Sequence, residues 1–138
     1  SALARSPGRV LMAATDHPAI LNCTALLSRL RHHVSVLPVT HHGDLAPETL
    51  FEALGQDVRT VALMYGHNEL GTLCQLHELV ELVRRAAPEA HVHVDLVQTY
   101  GKLPFDLDAF DVDSVAVSGH KFHGPRGAGF LALSSTAD

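Results

Sequence analysis

Lys121 closes the stretch Ser118-Gly119-His120-Lys121, which follows the apolar run Ser114–Val117; Asp95 closes His91–Asp95, with Gln98 three residues on. A lysine at the end of an apolar strand keeps its amine partly out of water, which favours the neutral, nucleophilic form. An aspartate at the end of another such strand is a charge that requires a partner. An amine, a carboxylate, carboxamides and imidazoles form the set needed to hold a carbonyl cofactor as an imine. Pyridoxal phosphate requires that lysine, an acid beside its pyridine nitrogen, donors for its phenolic oxygen and groups that hold its phosphate. Each residue alone has a plainer use: a solvated strand-end lysine, a capping carboxylate, a turn hydroxyl. The combination carries the signal.

The elements that must position these groups follow from periodicity and punctuation. Val10–Ala14 is a short apolar run suited to a buried strand, and Thr15-Asp16-His17-Pro18 reads as a helix start with proline in the first turn. The spacing of Ile20, Leu21, Leu26, Leu27 and Leu30 predicts a helix from Ala19 to about Arg31. Val34–Val39 predicts a strand that ends or lies at an edge at Pro38. A turn at His41–Asp44 leads to a short helix over Pro47–Leu54, stopped by Gly55. Thr60–Met64 is a further buried strand; Leu76, Leu79, Val80 and Val83 mark one helix face; His91–Asp95, Ser114–Val117 and Gly129–Leu133 are the remaining strands. The alternation predicts an α/β fold, a largely parallel, mixed sheet flanked by helices, in a single domain over residues 1–138.

In such sheets ligands collect beyond the carboxyl ends of the strands. The first strand is followed by Asp16-His17, the third by His67-Asn68-Glu69, the fourth by Asp95 and Gln98, the fifth by Ser118, His120 and Lys121. One rim gathers them all.

Composition narrows the function classes. A net charge of −5 and the lack of a basic stripe argue against nucleic acid as partner. No apolar run approaches the roughly 18 residues of a membrane span. Two cysteines, Cys23 and Cys74, in no metal or redox spacing favour a reducing compartment, hence a cytoplasmic location. Both read as small buried hydrophobes at helices. Eleven histidines invite a metal reading, and His91 and His93 share a strand face, but no further ligand is placed, so no metal is expected. His32-His33 and His41-His42 read as solvated, and Glu69 either as a cap for the helix that follows or as a cofactor contact.

The segments HVDLVQTYGKLPFDL (93–107) and SVAVSGHKFHGPRGAGFL (114–131), preceded in order by ATDHPAIL (14–21) and MYGHNELG (64–71), resemble the cysteine desulfurase and selenocysteine lyase family. These are fold-type I pyridoxal-phosphate enzymes of the class-V aminotransferase superfamily, and the likeness runs from about Val10 to Leu133. The resemblance implies Lys121 as the Schiff-base lysine and Asp95 as the acid at the pyridine nitrogen. It implies Gln98 and Asn68 as partners of the phenolic oxygen, and His17 as the ring-stacking histidine that helps move protons. Ser118 and His120 correspond to phosphate contacts. Three departures stand out: His67 where the family commonly has Asn, and Leu96 and Val97 where it has small residues between aspartate and glutamine. The resemblance also implies that these residues are the central segment of a large domain, without the glycine-rich phosphate loop, the small C-terminal domain or the cysteine that receives sulfur.

The implied activity is removal of sulfur from L-cysteine to give alanine and an enzyme persulfide, with a sulfur-acceptor protein as partner and a homodimer as the full-length state. Selenocysteine lyase, with L-selenocysteine as substrate, another class-V aminotransferase or a different β-lyase would use the same core. A non-catalytic remnant serving as a scaffold and a small histidine-rich metal domain are the rivals from other classes.

Overall fold

The computed structural model describes residues 6–135. Six strands form one sheet in the order β2-β1-β3-β4-β5-β6. They are β1 (Arg9–Ala13), β2 (His33–Leu37), β3 (Val58–Met64), β4 (His91–Asp95), β5 (Ser114–Ser118) and β6 (Gly129–Leu133). The first five are parallel and β6 runs antiparallel to β5, as the mixed-sheet expectation required. Because β1 lies between β2 and β3, the chain winds outward in two directions from it. The crevice between the carboxyl ends of β1 and β3 is therefore the topological switch point.

Alternation along the strands decides what each face does. Leu11, Val61, Leu63, Val92, Val94, Val115 and Val117 point to one side and pack in a single core with α3 (Pro47–Ala53) and α4 (Leu76–Ala86). Helix α4 contributes Leu76, Leu79, Val80 and Val83, all buried, the spacing the sequence predicted. Each such side chain stabilises the fold by about 1.5–3 kcal/mol through apolar burial. The other side of β1 and β3 (Val10, Met12, Ala62) is covered by Leu27, Ile20 and Leu21 from the segment joining β1 to β2. On that same side β4 and β5 carry His91, His93, Asp95, Ser114 and Ser118 instead of apolar residues.

The predicted helix from Ala19 to Arg31 is two short helices, α1 (Pro18–Leu21) and α2 (Thr24–Arg29). The break falls at Asn22-Cys23, where Thr24 Oγ1 donates to the Leu21 carbonyl and competes with the helical pattern. Cys23 is consequently exposed at the junction, its Sγ donating to Ala19 O, rather than buried as expected. β2 stops at Leu37, before Pro38, which has no N–H for the ladder. His32 is buried at 4% exposure, not solvated, because the chain turns there from α2 into the sheet. Among the described residues no helix is long and apolar enough to cross a membrane.

Candidate active site at the strand ends

Register brings the predicted residues to one rim. Met64 pairs with Asp95 and Asp95 with Ala116, so β3, β4 and β5 end at nearly the same level. Tyr65 N bonds Asp95 O at 3.1 Å and Leu96 N bonds Ala116 O at 3.0 Å, which carries the pairing into the loops. After β5 a 3₁₀ turn over Gly119–Phe122 lifts Lys121 above the strand end. Gly119 N bonds Ala128 O and Gly124 N bonds Gly119 O, both at 2.8 Å, so this turn is held from two sides. Gly124 must be glycine: a Cβ there would lie 2.8 Å from the Gly119 carbonyl oxygen.

Lys121 is half-buried, and among the described residues its amine has neither hydrogen bond nor ion pair. Asp95 is also half-buried; Oδ1 accepts from Val97 N at 2.8 Å, and the carboxylate has no cationic partner among the described residues. That bond folds the chain so that Leu96, 1% exposed, enters the core under α4 instead of the rim. Of the two large residues between Asp95 and Gln98, only Val97 stays near the site. Gln98 is half-buried, and its backbone carbonyl accepts from Lys102 Nζ at 2.9 Å. Ser118 Oγ and His120 Nδ1 are 2.8 Å apart, so the two candidate phosphate contacts are paired with each other.

The loop between β3 and α4 crosses to this site at Gly66, where a Cβ would meet Thr99 Cγ2 at 2.6 Å. The close approach sets Asn68's loop against the turn that carries Gln98. Asn68 and His17 are both exposed on an open cleft of about 510 Å³, together with Asp16, Leu21, His67 and Glu69. His17 caps α1: its Nδ1 accepts from Ala19 N at 3.1 Å, which leaves Nε2 to bear the proton of the neutral ring. His67 Nδ1 accepts from Glu69 N and Leu70 N, both at 3.2 Å. Glu69 caps no helix, since α4 begins only at Leu76.

One group beside the site was given no role of its own by sequence reasoning. Asp16 is 4% exposed, and its Oδ2 accepts from Ala13 N at 2.9 Å. Burial is the main reason its carboxyl is pushed up to about 7; the Ala13 N–H opposes the shift and the nearby Asp95 charge adds to it. It was visible in the sequence only as the neighbour of His17. Asp16 also borders a small cavity of about 30 Å³ with Asp44, His67 and Cys74. Burial, then the Asp44 and Asp16 charges, push the Cys74 thiol up to about 12. Such a thiol is a poor nucleophile at neutral pH.

The two histidines on β4 share one hydroxyl partner. His91 Nε2 and His93 Nδ1 both meet Ser114 Oγ, at 2.7 and 2.8 Å. Burial lowers the His93 pKa against the opposing pull of Asp95, and His91 lowers it further. Among the described residues no group of three or more His, Cys, Asp or Glu is arranged to hold a metal ion.

Comparison with known proteins identifies the family and the fold. Residues 3–138 match the family model for Aminotransferase class-V. A cysteine desulfurase of Sinorhizobium fredii is 38% identical over 125 residues, 90% of this chain and 32% of that protein. Among solved structures, a NifS-like protein superposes with a TM-score of 0.90 at 32% identity, over 97% of this chain and 37% of that one. A mutant of C-DES with glycine covalently linked to its PLP cofactor superposes at 0.84 with 28% identity, over 95% and 36%. The chain spans about a third of the length of the curated relatives it matches.

Proposed function

This chain belongs to the class-V aminotransferase family, and from that premise we propose that it is the cofactor-binding core of a pyridoxal-phosphate-dependent cysteine desulfurase. What supports the reading is that the parallel neighbours β1, β3, β4 and β5 lead at their carboxyl ends into His17, Asn68, Asp95 with Gln98, and Lys121, with the amine and the carboxylate both half-buried and free of ion pairs among the described residues. That donor set fits the cofactor. Lys121 Nζ would carry it covalently, and Asp95 would face its ring nitrogen. Gln98 and Asn68 would donate to its phenolic oxygen, while Ser118 Oγ and His120 would exchange their mutual bond for its phosphate. When bound, pyridoxal phosphate supplies the electron sink that stabilises negative charge at the α-carbon of an amino-acid substrate.

The chain's own residues have the remaining tasks. Asp95, anchored by Val97 N–H, would hold a proton on a ring nitrogen bound beside it by favouring the cationic form. Lys121 Nζ and His17 Nε2 are the positions that take up and return substrate protons. His17 suits this because its Nδ1 is fixed on Ala19 N–H, which orients the ring. Neither Cys23, bonded to Ala19 O, nor Cys74, held protonated by burial, fits the role of sulfur acceptor. In this reading a cysteine outside residues 1–138 receives the sulfur from L-cysteine as a persulfide and leaves alanine. The chain is then the central segment of a large domain, part of a homodimer that passes sulfur to an acceptor protein in the cytoplasm. The free, unpaired cysteines are consistent with such a reducing setting.

Incubation with pyridoxal phosphate, borohydride reduction and peptide mapping tests the site. The expected result is a pyridoxyl group on Lys121 that disappears in Lys121→Ala while the thermal unfolding curve is kept. Label on Lys102 or the N-terminal amine, unchanged in Lys121→Ala, would defeat the assignment. Cysteine-dependent release of alanine by the full-length gene product separates desulfuration from other chemistry on the same core.

A further inference from the structure

The loop between β3 and α4 is closed at its base by backbone alone. Gly66 bridges Leu73, His67 N bonds Thr72 O at 3.0 Å, and Cys74 N bonds Tyr65 O at 3.0 Å. Its tip, residues 67–71, is different. Gly71, at φ +72°, returns its N–H to His67 O at 3.0 Å. The Glu69 and Leu70 N–H groups instead point at one side-chain atom, His67 Nδ1, at 3.2 Å each. Both residues are exposed and water competes for their N–H groups, so what this one nitrogen adds is a pair of bonds that order the tip. Asn68 lies between the acceptor and its two donors, and its own side chain makes no hydrogen bond among the described residues.

We propose that His67 is a positioning residue: as a neutral imidazole it fastens the 67–71 turn and so aims Asn68 at the bound cofactor, and its protonation releases that turn. An imidazole nitrogen accepts a hydrogen bond only while it has no proton; the imidazolium donates from both nitrogens and accepts at neither. Two backbone N–H groups would then face an N–H. Histidine is the side chain that makes this change near neutral pH. The groups around the ring bear on it from both sides. Asp16, Asp44 and Cys74 share the small cavity with His67, and Asp16, His17 and Glu69 share the larger cleft. An asparagine carbonyl oxygen at position 67 would accept from the same donors without titrating, so His67→Asn separates acceptance from protonation.

The inference rests on Asn68 contacting the cofactor, and its two halves are measured separately. Amide exchange, expressed as protection factors, tests the turn without cofactor. Glu69 and Leu70 should lose about tenfold protection in His67→Ala, keep it in His67→Asn, and lose it in the unsubstituted chain but not in His67→Asn between pH 8 and pH 5. Equal protection in all three proteins overturns the proposal. Pyridoxal phosphate affinity of the full-length gene product tests the aim. It should fall about tenfold in His67→Ala and in Asn68→Ala, recover in His67→Asn, and weaken toward pH 5 more steeply with His67 present than in His67→Asn, because imine formation needs a neutral amine in both. Intact protection changes with an affinity unmoved by Asn68→Ala would overturn the aiming role by removing the Asn68 reading, while leaving Lys121 and Asp95 untouched.

Discussion

The two ends of the sheet treat charge in opposite ways. Where the strands begin, charges are matched. Arg9 binds both carboxylate oxygens of Asp57, at 2.7 and 2.9 Å. Arg84 reaches Asp113 at 2.8 Å, the Asp111 backbone oxygen and the Ala90 carbonyl. Where the strands end, the Asp95 charge raises the cost of ionising Asp16, and no cation pairs with either carboxylate among the described residues. Lys121 stands on the same rim equally unpaired. A fold built for stability alone would have little reason to bury one carboxyl, half-bury another and leave a lysine beside them unmatched. The strand-start charges hold the sheet together, while under the proposed function the strand-end charges are kept for the cofactor.

The largest effect on folding should come from the rim, and with a stabilising sign. Asp16 titrates near 7 in the fold against an ordinary value of 3.8. Its folded-state pKa is raised, so the native state holds the proton longer than the unfolded chain does. Stability is therefore lost as pH rises from about 4 to 7 and is level above that. At 1.36 kcal/mol per pKa unit the loss is at most about 4 kcal/mol. Asp16→Asn keeps an oxygen for Ala13 N–H but cannot ionise. Urea unfolding should show it matching the parent at pH 4 and exceeding it at pH 8; a constant difference across that range would show that the Asp16 charge is accommodated. Arg84→Ala at the other end should do the reverse, costing about 2–3 kcal/mol at neutral pH by stripping partners from Asp113 and two carbonyls. Its remaining folded fraction should still take the borohydride label on Lys121.

Much of this was legible because the relevant signals are local. HVHVD reads as a strand ending on a carboxylate whatever surrounds it, and the apolar spacing of Leu76 to Val83 identifies α4 without reference to the sheet. The order of strand-end residues predicted one rim, and the parallel register of β3, β4 and β5 accounts for it. What escaped depends on contacts distant in sequence or on competition between local bonds. His91 and His93 were expected to share a face; that they meet on Ser114 follows from the His93–Ser114 pairing, which no local pattern encodes. Asp16 looked like half of a helix start, and only the fold of the chain back onto Ala13 N–H reveals a buried acid. The departure at His67 becomes intelligible because imidazole Nδ1 can accept from the turn. Leu96 likewise departs from the small-residue pattern without entering the site, since the Asp95–Val97 bond turns it into the core.

Asp95→Asn is the sharpest and energetically smallest test of the contrast between the two ends. Asparagine retains an oxygen for Val97 N–H, so the turn that buries Leu96 survives, and no ion pair among the described residues is broken. The change in folding stability should lie within about 0.5 kcal/mol, as for substitutions away from packed or paired groups. One part of it has a definite sign: removing the Asp95 charge relieves its repulsion of Asp16, so the Asp16 titration should move downward and the loss of stability between pH 4 and pH 7 should shrink. Cofactor handling should suffer instead, because a neutral amide does not favour a proton on the ring nitrogen, and pyridoxal phosphate affinity should fall about tenfold, the factor of roughly 1.4 kcal/mol. Urea unfolding and cofactor titration on the same preparations check both. If Asp95→Asn destabilises the chain as much as Arg84→Ala does, the rim carboxylate supports the fold, and the division between the two ends of the sheet fails.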